Sequence, residues 1–190
     1  AGFGAIKASV IFKIASFIVL APLIGMIMSL IITTLILTLF KKTNPHKAER
    51  WFKKLQLVSS ALFSVGHGLN DSQKVMGIIA AALFAYHDID PTMGIAHVAD
   101  IKDVTWVPIA CFSAIALGTM FGGWRIVRTM GTKITKVTPL EGVAAETAGA
   151  LTLYLTEILK IPVSTTHTIT GAIIGSGAIK RLSAVRWGIT

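Results

Sequence analysis

The chain has 190 residues, of which 53% are hydrophobic and 14% charged, with 18 Lys and Arg against 9 Asp and Glu for a net charge of +9. So apolar a composition excludes an ordinary soluble domain. The basic residues stand in short clusters beside apolar runs, where positive charge marks the cytoplasmic side of a membrane rather than a nucleic-acid surface.

Nucleic acid is therefore not an expected partner; membrane lipid is. The single cysteine, Cys111, lies in an apolar run and cannot form an internal disulfide, so it does not fix a redox compartment. The chain begins at Ala1 with no signal-peptide pattern and reads as part of a longer protein.

Residues 1–13 form a small, apolar lead-in with Lys7 and Lys13, and residues 14–40 carry no charge. That length suffices for a tilted transmembrane helix, with Pro22 and Gly25 offering a kink. Residues 41–54 hold Lys41, Lys42, Lys47, Arg50, Lys53 and Lys54 against Glu49 and read as a basic cytoplasmic loop, with Trp51 suited to the interface.

Residues 55–86 are apolar at both ends and polar at 66–74. Neither flank alone reaches the ~20 residues that one crossing takes, so the whole reads as one broken transmembrane helix. Gly66 and Gly68 permit a break, Asn70 suits an N-cap and Gln73 sits in the position of its capping-box partner. Asp71 and Lys74 are then intramembrane charges, functional candidates with each other as nearest partners. Broken backbone at that depth must line a protein cavity. The competing reading is a short water-exposed loop between two helices.

Residues 87–105 contain Asp88, Asp90, Asp100 and Asp103 against Lys102 and read as an external loop. Residues 106–124 form a further span, aromatic at both ends and small-residue-rich at Gly118, Gly122 and Gly123. Arg125, Arg128, Lys133 and Lys136 return the chain to the cytoplasm.

Residues 139–179 lie between two basic clusters, the second being Lys180, Arg181 and Arg186. The segment must enter the membrane and come back on the same side. Its first limb is interrupted by Glu146 and Glu157, too closely spaced for a full span. A re-entrant helical hairpin turning at 160–162 fits better. After the turn, Pro162 suits a first helical turn, and Ser164, Thr165 and Thr166 follow at the positive end of the dipole, a ready anion site. The competing reading is that these hydroxyls serve only their own backbone. Discontinuous helices with positive ends aimed at an anion, and carboxylates offsetting a cation, are the devices of secondary transporters.

Histidine is the side chain whose charge changes near neutral pH, but His67 and His167 come from different elements and make no metal motif. Packed, hydrogen-bonded histidines are expected, with no metal and no cofactor. An intramembrane enzyme is disfavoured: only Asp71 qualifies for an aspartyl dyad, and His-Glu-x-x-His is absent. A Ser176–His167 hydrolase pair would stand about 13 Å apart along one helix. A purely structural subunit would not need Asp71, Lys74 and Glu146 in apolar surroundings.

Gly-Leu-Asn-Asp-Ser-Gln-Lys at 68–74 and Pro-Val-Ser-Thr-Thr-His at 162–167, separated by Ala-Ala-Glu-Thr-Ala around Glu146, resemble the inorganic phosphate transporter (PiT) family over residues 55–186. The resemblance implies an all-α polytopic membrane protein, one half of an inverted-repeat transporter, with a broken transmembrane helix and a re-entrant helical hairpin. It implies that residues 1–190 are a single transmembrane domain whose partner is the first half of the same transporter, and it leaves a homodimer open.

By position, Asn70 and Asp71 are implied in cation and phosphate binding, Ser164, Thr165 and Thr166 in donating to phosphate, and Glu146 in coupling. Where the common form ends in Asn, this sequence has Lys74 after Gln73. That variant resembles bacterial second halves and points to a multi-pass protein of a prokaryotic inner membrane. With His67, Gln73 and Lys74 are modulators that leave both Na+ and H+ as coupling ions. The expected activity is phosphate symport by alternating access. A symporter of another anion such as sulfate is the runner-up, and an intramembrane hydrolase comes a distant third.

Overall fold

The computed structural model describes residues 7–87, 89, 104–179 and 182–188. Its elements are α1 (Ala8–Leu39), α2 (Pro45–His87), α3 (Trp106–Gly122), α4 (Trp124–Arg128), a π-helical turn (Thr129–Ile134), α5 (Pro139–Ile158), α6 (Thr165–Ala178) and a 3-10 turn (Leu182–Ala184). No strand occurs among the described residues, so the chain is all-α. Most of the expected external loop, residues 88 and 90–103, and the basic residues Lys180 and Arg181 lie outside the described residues.

The expected apolar span is present as α1, whose 32 residues run continuously through Pro22. Among the described residues, α1 alone is by length and composition apolar enough to cross a membrane, and Trp106–Gly122 taken with Ile126–Ile134 would make a second such span. The buried positions of α1, Ala21, Gly25, Ser29 and Thr33, fall every fourth residue on one stripe. The rest of its surface is large and apolar, including Phe12, Val19, Ile27 and Ile31. A helix that buries only its small residues packs by backbone approach and leaves its bulky ones for lipid.

Two expectations are corrected. The basic segment 41–54 is mostly helix, because α2 begins at Pro45; proline at the first helical position loses only an N–H that has no partner there, and Asn44 Oδ1 accepts from His46 N at 3.0 Å. The helix is also unbroken through 66–74, continuing for 43 residues to His87. Asn70 is thus neither an N-cap nor paired with Gln73 in a capping box. An interior glycine costs a helix only about 1 kcal/mol, and no proline removes a hydrogen bond between Leu55 and His87. Two glycines and an Asn-Asp-Ser run permit a break without enforcing one.

Close packing divides the chain into two units, residues 1–67 with 125–190, and residues 68–124. In the first, α1, α5 and α6 pack on one another around Ile134, Ala145, Ala148, Ala172 and Ile173. A second cluster joins Ala21, Leu153, Ile161 and Val163, with Phe17 and Phe63 against it. In the second unit, Ala80, Val107 and Cys111 are buried.

α5 opens with a capping box, Pro139 at its start and the Glu141 carboxylate accepting from Thr138 N at 2.7 Å. It closes with a Schellman motif. Lys160 takes a left-handed φ of 53°, and the amides of Lys160 and Ile161 donate to Glu157 O and Thr156 O, each at 2.9 Å. Buried Ile161 joins the Leu153 cluster, so the chain reverses tightly and α6 returns along α5.

α6 meets α1 through glycine. A Cβ on Gly171 would drive into the Pro22 carbonyl and one on Gly175 into the Met26 carbonyl, while a Cβ on Gly25 would lie 2.7 Å from Thr168 O. The pairing rises together in both helices, so they run in the same direction. We expect Gly171→Val to destabilise the protein by about 1–3 kcal/mol, the usual cost of overpacking, read as a lowered thermal midpoint. Gly118→Val, where an added Cβ meets nothing within 4 Å, should leave that midpoint within about 0.5 kcal/mol of the parent.

Candidate functional site

The motif at 162–167 forms the entry into α6. Ser164 is the N-cap, with extended φ −82° and ψ 111°, and its Oγ accepts from His167 N at 3.4 Å. Pro162 lies before the cap, not in the first turn as expected. Accepting that amide uses a lone pair and leaves the Ser164 O–H to donate elsewhere. Ser164 and Thr166 are exposed, and Thr165 is buried.

The hydroxyls committed to their own helix are the later ones: Thr168 Oγ1 donates to Ser164 O at 3.0 Å and Thr170 Oγ1 to Thr166 O at 2.8 Å. The segment therefore presents two accessible hydroxyls beside amides at the positive end of a 14-residue helix, an arrangement that favours an anion.

Glu146 lies on α5 where that helix faces the first half of α2. Ser59 Oγ donates to Glu146 Oε2 at 2.5 Å, and the Gln56 side chain bonds the same carboxylate. Ser59 is 5% exposed. One turn before Glu146, a Cβ on Gly142 would overlap the Gln56 amide; the missing side chain makes the space that Gln56 occupies. Further along, Gly149 lies against Phe63, Gly66 against Leu153 and Tyr154, and Tyr154 donates to Leu62 O at 3.4 Å. The contacts at 56, 59, 63 and 66 recur every three or four residues, so one face of α2 carries them all, and the two helices run parallel.

Sequence reasoning selected Glu146 and missed Ser59 and Gln56. Serine and glutamine at helical spacing in an otherwise apolar limb were the available signal, but their partner lies 87 residues away from Ser59.

Asn70, Asp71, Gln73 and Lys74 belong to the second unit. Lys74 Nζ reaches Asp71 Oδ1 at 2.8 Å, the pairing expected from sequence, across one helical turn with both side chains partly exposed. Asn70 is 5% and Ser72 2% exposed, and among the described residues Asn70 Oδ1 and Ser72 Oγ have no hydrogen-bond partner. A buried polar atom left unpaired costs about 1–3 kcal/mol, a cost that a bound ion or water would remove. The two residues point about 160° apart around the helix and do not form one ligand set. Asn70, Asp71 and Lys74 share a side. Ser72, part of the motif but given no role from sequence, is the second residue that burial singles out. His67 stacks its ring on Phe63 with centroids 6.3 Å apart.

A family model described as "Phosphate transporter family" matches residues 1–190. Among curated relatives, a "Probable low-affinity inorganic phosphate transporter" of Rhizobium meliloti (strain 1021) is 50% identical over 99% of this chain and 54% of its own length. The protein of the same name from Bacillus subtilis (strain 168) is 38% identical, again over 99% of this chain and 54% of the relative. The one from Mycobacterium leprae (strain TN) is 34% identical over 99% of this chain and 44% of the relative. The chain thus spans about half the length of the curated relatives it matches. No solved structure matches it. With every residue from 1 to 190 inside the family match, the chain belongs to the phosphate transporter family, a family of membrane proteins.

Proposed function

We propose that the protein carrying this chain moves inorganic phosphate across the membrane by symport with a cation, H+ or Na+, through alternating access. The observation that carries the reading is the entry to α6, where Ser164 caps the helix yet keeps its O–H to donate and Thr166 stands exposed beside it. Phosphate carries between one and two negative charges near neutral pH, which suits hydroxyl donors and amides at a positive helix end. The family match and the names of the relatives point to the same cargo.

In this mechanism Ser164, Thr165 and Thr166 donate to phosphate oxygens. Asn70 offers its unpaired buried carbonyl oxygen, and Asp71 its negative charge, to the coupling cation; oxygen donors suit hard cations. Lys74, paired with Asp71, places a fixed positive charge on that carboxylate and tunes its demand for a mobile one. Glu146, held by Ser59 and Gln56 on the α2–α5 interface, couples cation to cargo. Alternating access exposes the cargo to one side at a time, with no covalent chemistry.

Radiolabelled phosphate uptake into proteoliposomes containing the full-length protein tests this, under a sodium gradient and then a proton gradient. We expect uptake to require one of the two gradients. Ser164→Ala and Asp71→Asn should each lower the initial rate about tenfold or more, the cost of one hydrogen bond or charge contact to an ionic ligand. Transport of sulfate in place of phosphate would keep the transporter and overturn the cargo. A double-mutant cycle on unfolding tests the coupling interface separately: Ser59→Ala with Glu146→Gln should show about 1.5–3 kcal/mol of interaction. The same cycle with Ser60→Ala, whose hydroxyl donates to Leu57 O, should show none.

A further inference from the structure

The first three turns of α2 hold a cleft of about 270 Å3 lined by Lys47, Arg50, Trp51 and Lys54. These four residues stand within about 100° of one another around the helix, at spacings of three, four and seven. The segment's one acidic side chain, Glu49, is taken up by Lys53 at 2.8 Å, whose hydrogen bond and charge hold that carboxyl below the usual range. Lys47, Arg50 and Lys54 carry no ion pair among the described residues. Three uncompensated cations around an aromatic ring make a receptor for a phosphate-bearing anion.

What distinguishes a lipid headgroup from a free anion is the surface that continues from the cleft. On the same side of α2, the next positions are Val58, Leu62 and Val65, exposed at 58%, 50% and 54%. Their mean direction lies about 125° around the helix from the face of Gln56, Ser59 and Phe63 that packs on α5. From Lys54 to Val65 the helix rises about 16 Å, roughly the hydrocarbon depth of one leaflet. Trp51, between Arg50 and Lys54, is 58% exposed, and tryptophan anchors a membrane protein at the interface. The basic cluster around Trp51 therefore gives way to an apolar strip, in the order of a phospholipid's headgroup and acyl chain.

We propose that this face of α2 binds an anionic phospholipid, its headgroup phosphate held by Lys47, Arg50 and Lys54 and an acyl chain laid along Val58, Leu62 and Val65. The site is distinct from the proposed transport residues and does not rest on the cargo being phosphate.

The test is fluorescence of the full-length protein with every tryptophan except Trp51 replaced by phenylalanine, reconstituted in phosphatidylcholine vesicles. Brominated phosphatidylglycerol or brominated phosphatidylcholine is added as quencher. Each basic residue near an anionic surface contributes about fivefold in affinity. The three should give about a hundredfold preference for the anionic quencher, lost in the Lys47→Gln/Arg50→Gln/Lys54→Gln variant. Lys53→Gln, whose charge is occupied by Glu49, should retain most of the preference.

Equal quenching by the two lipids, or a preference that survives the triple variant, would overturn the proposal. So would shielding of Trp51 from both, which would mean that protein covers this face. Displacement of phosphatidylglycerol by inorganic phosphate, but not by chloride of equal ionic strength, would instead make the cleft a free-phosphate site.

Discussion

The backbone contact between α1 and α6 is the constraint on which the first packing unit depends. In hydrocarbon there is little hydrophobic drive to bring helices together, so association rests on close surface fit and small side chains. Gly171 and Gly175 admit the carbonyls of Pro22 and Met26, and Gly25 admits the backbone of Thr168. With α6 fixed against a helix long enough to cross a membrane, the Schellman turn at Leu159–Ile161 places α5 alongside, and its capping box fixes where α5 begins. The N-cap at Ser164 is held in place by this arrangement. A hydroxyl at the end of an unanchored helix would not keep a fixed geometry for an anion.

α2 carries two opposed demands on one helix. One face meets α5 with Gln56, Ser59, Phe63 and Gly66, and binds the Glu146 carboxylate. The other shows three cations and a tryptophan, then a strip of valine and leucine. A carboxylate in apolar surroundings is expensive unless its oxygens are hydrogen-bonded, and Ser59 and Gln56 supply those bonds. The Asp71–Lys74 pair answers the same cost within a single helical turn, whereas the Asn70 and Ser72 oxygens leave it unmet.

Much of this was legible in the sequence because it depends on local composition. The uncharged run at 14–40 gave α1, the basic clusters bounded the apolar stretches, and Pro162 to His167 marked the start of α6. Charge and hydropathy act over a few residues, and a helix long enough to bury them follows from length alone. The motifs at 68–74 and 162–167 also located the candidate residues, since the Asp71–Lys74 pair and the Ser164 cap are interactions within three residues.

The sequence by itself therefore determined the all-α class, the apolar span of α1, the hydroxyl-rich helix entry and, through its two motifs, the family. Tertiary structure decided the rest. A break at Gly66 and Gly68 was permitted by glycine but not required, and α2 stays continuous because the cost of these two interior glycines is small beside an intact hydrogen-bond ladder. Whether a glycine marks a turn or a contact cannot be read from the residue alone; at 25, 171 and 175 it is the neighbouring helix's carbonyls and amides that give it meaning. Ser59 becomes a partner of Glu146 only when α2 and α5 lie side by side, because a hydrogen bond between residues 87 positions apart is set by packing and not by local propensity.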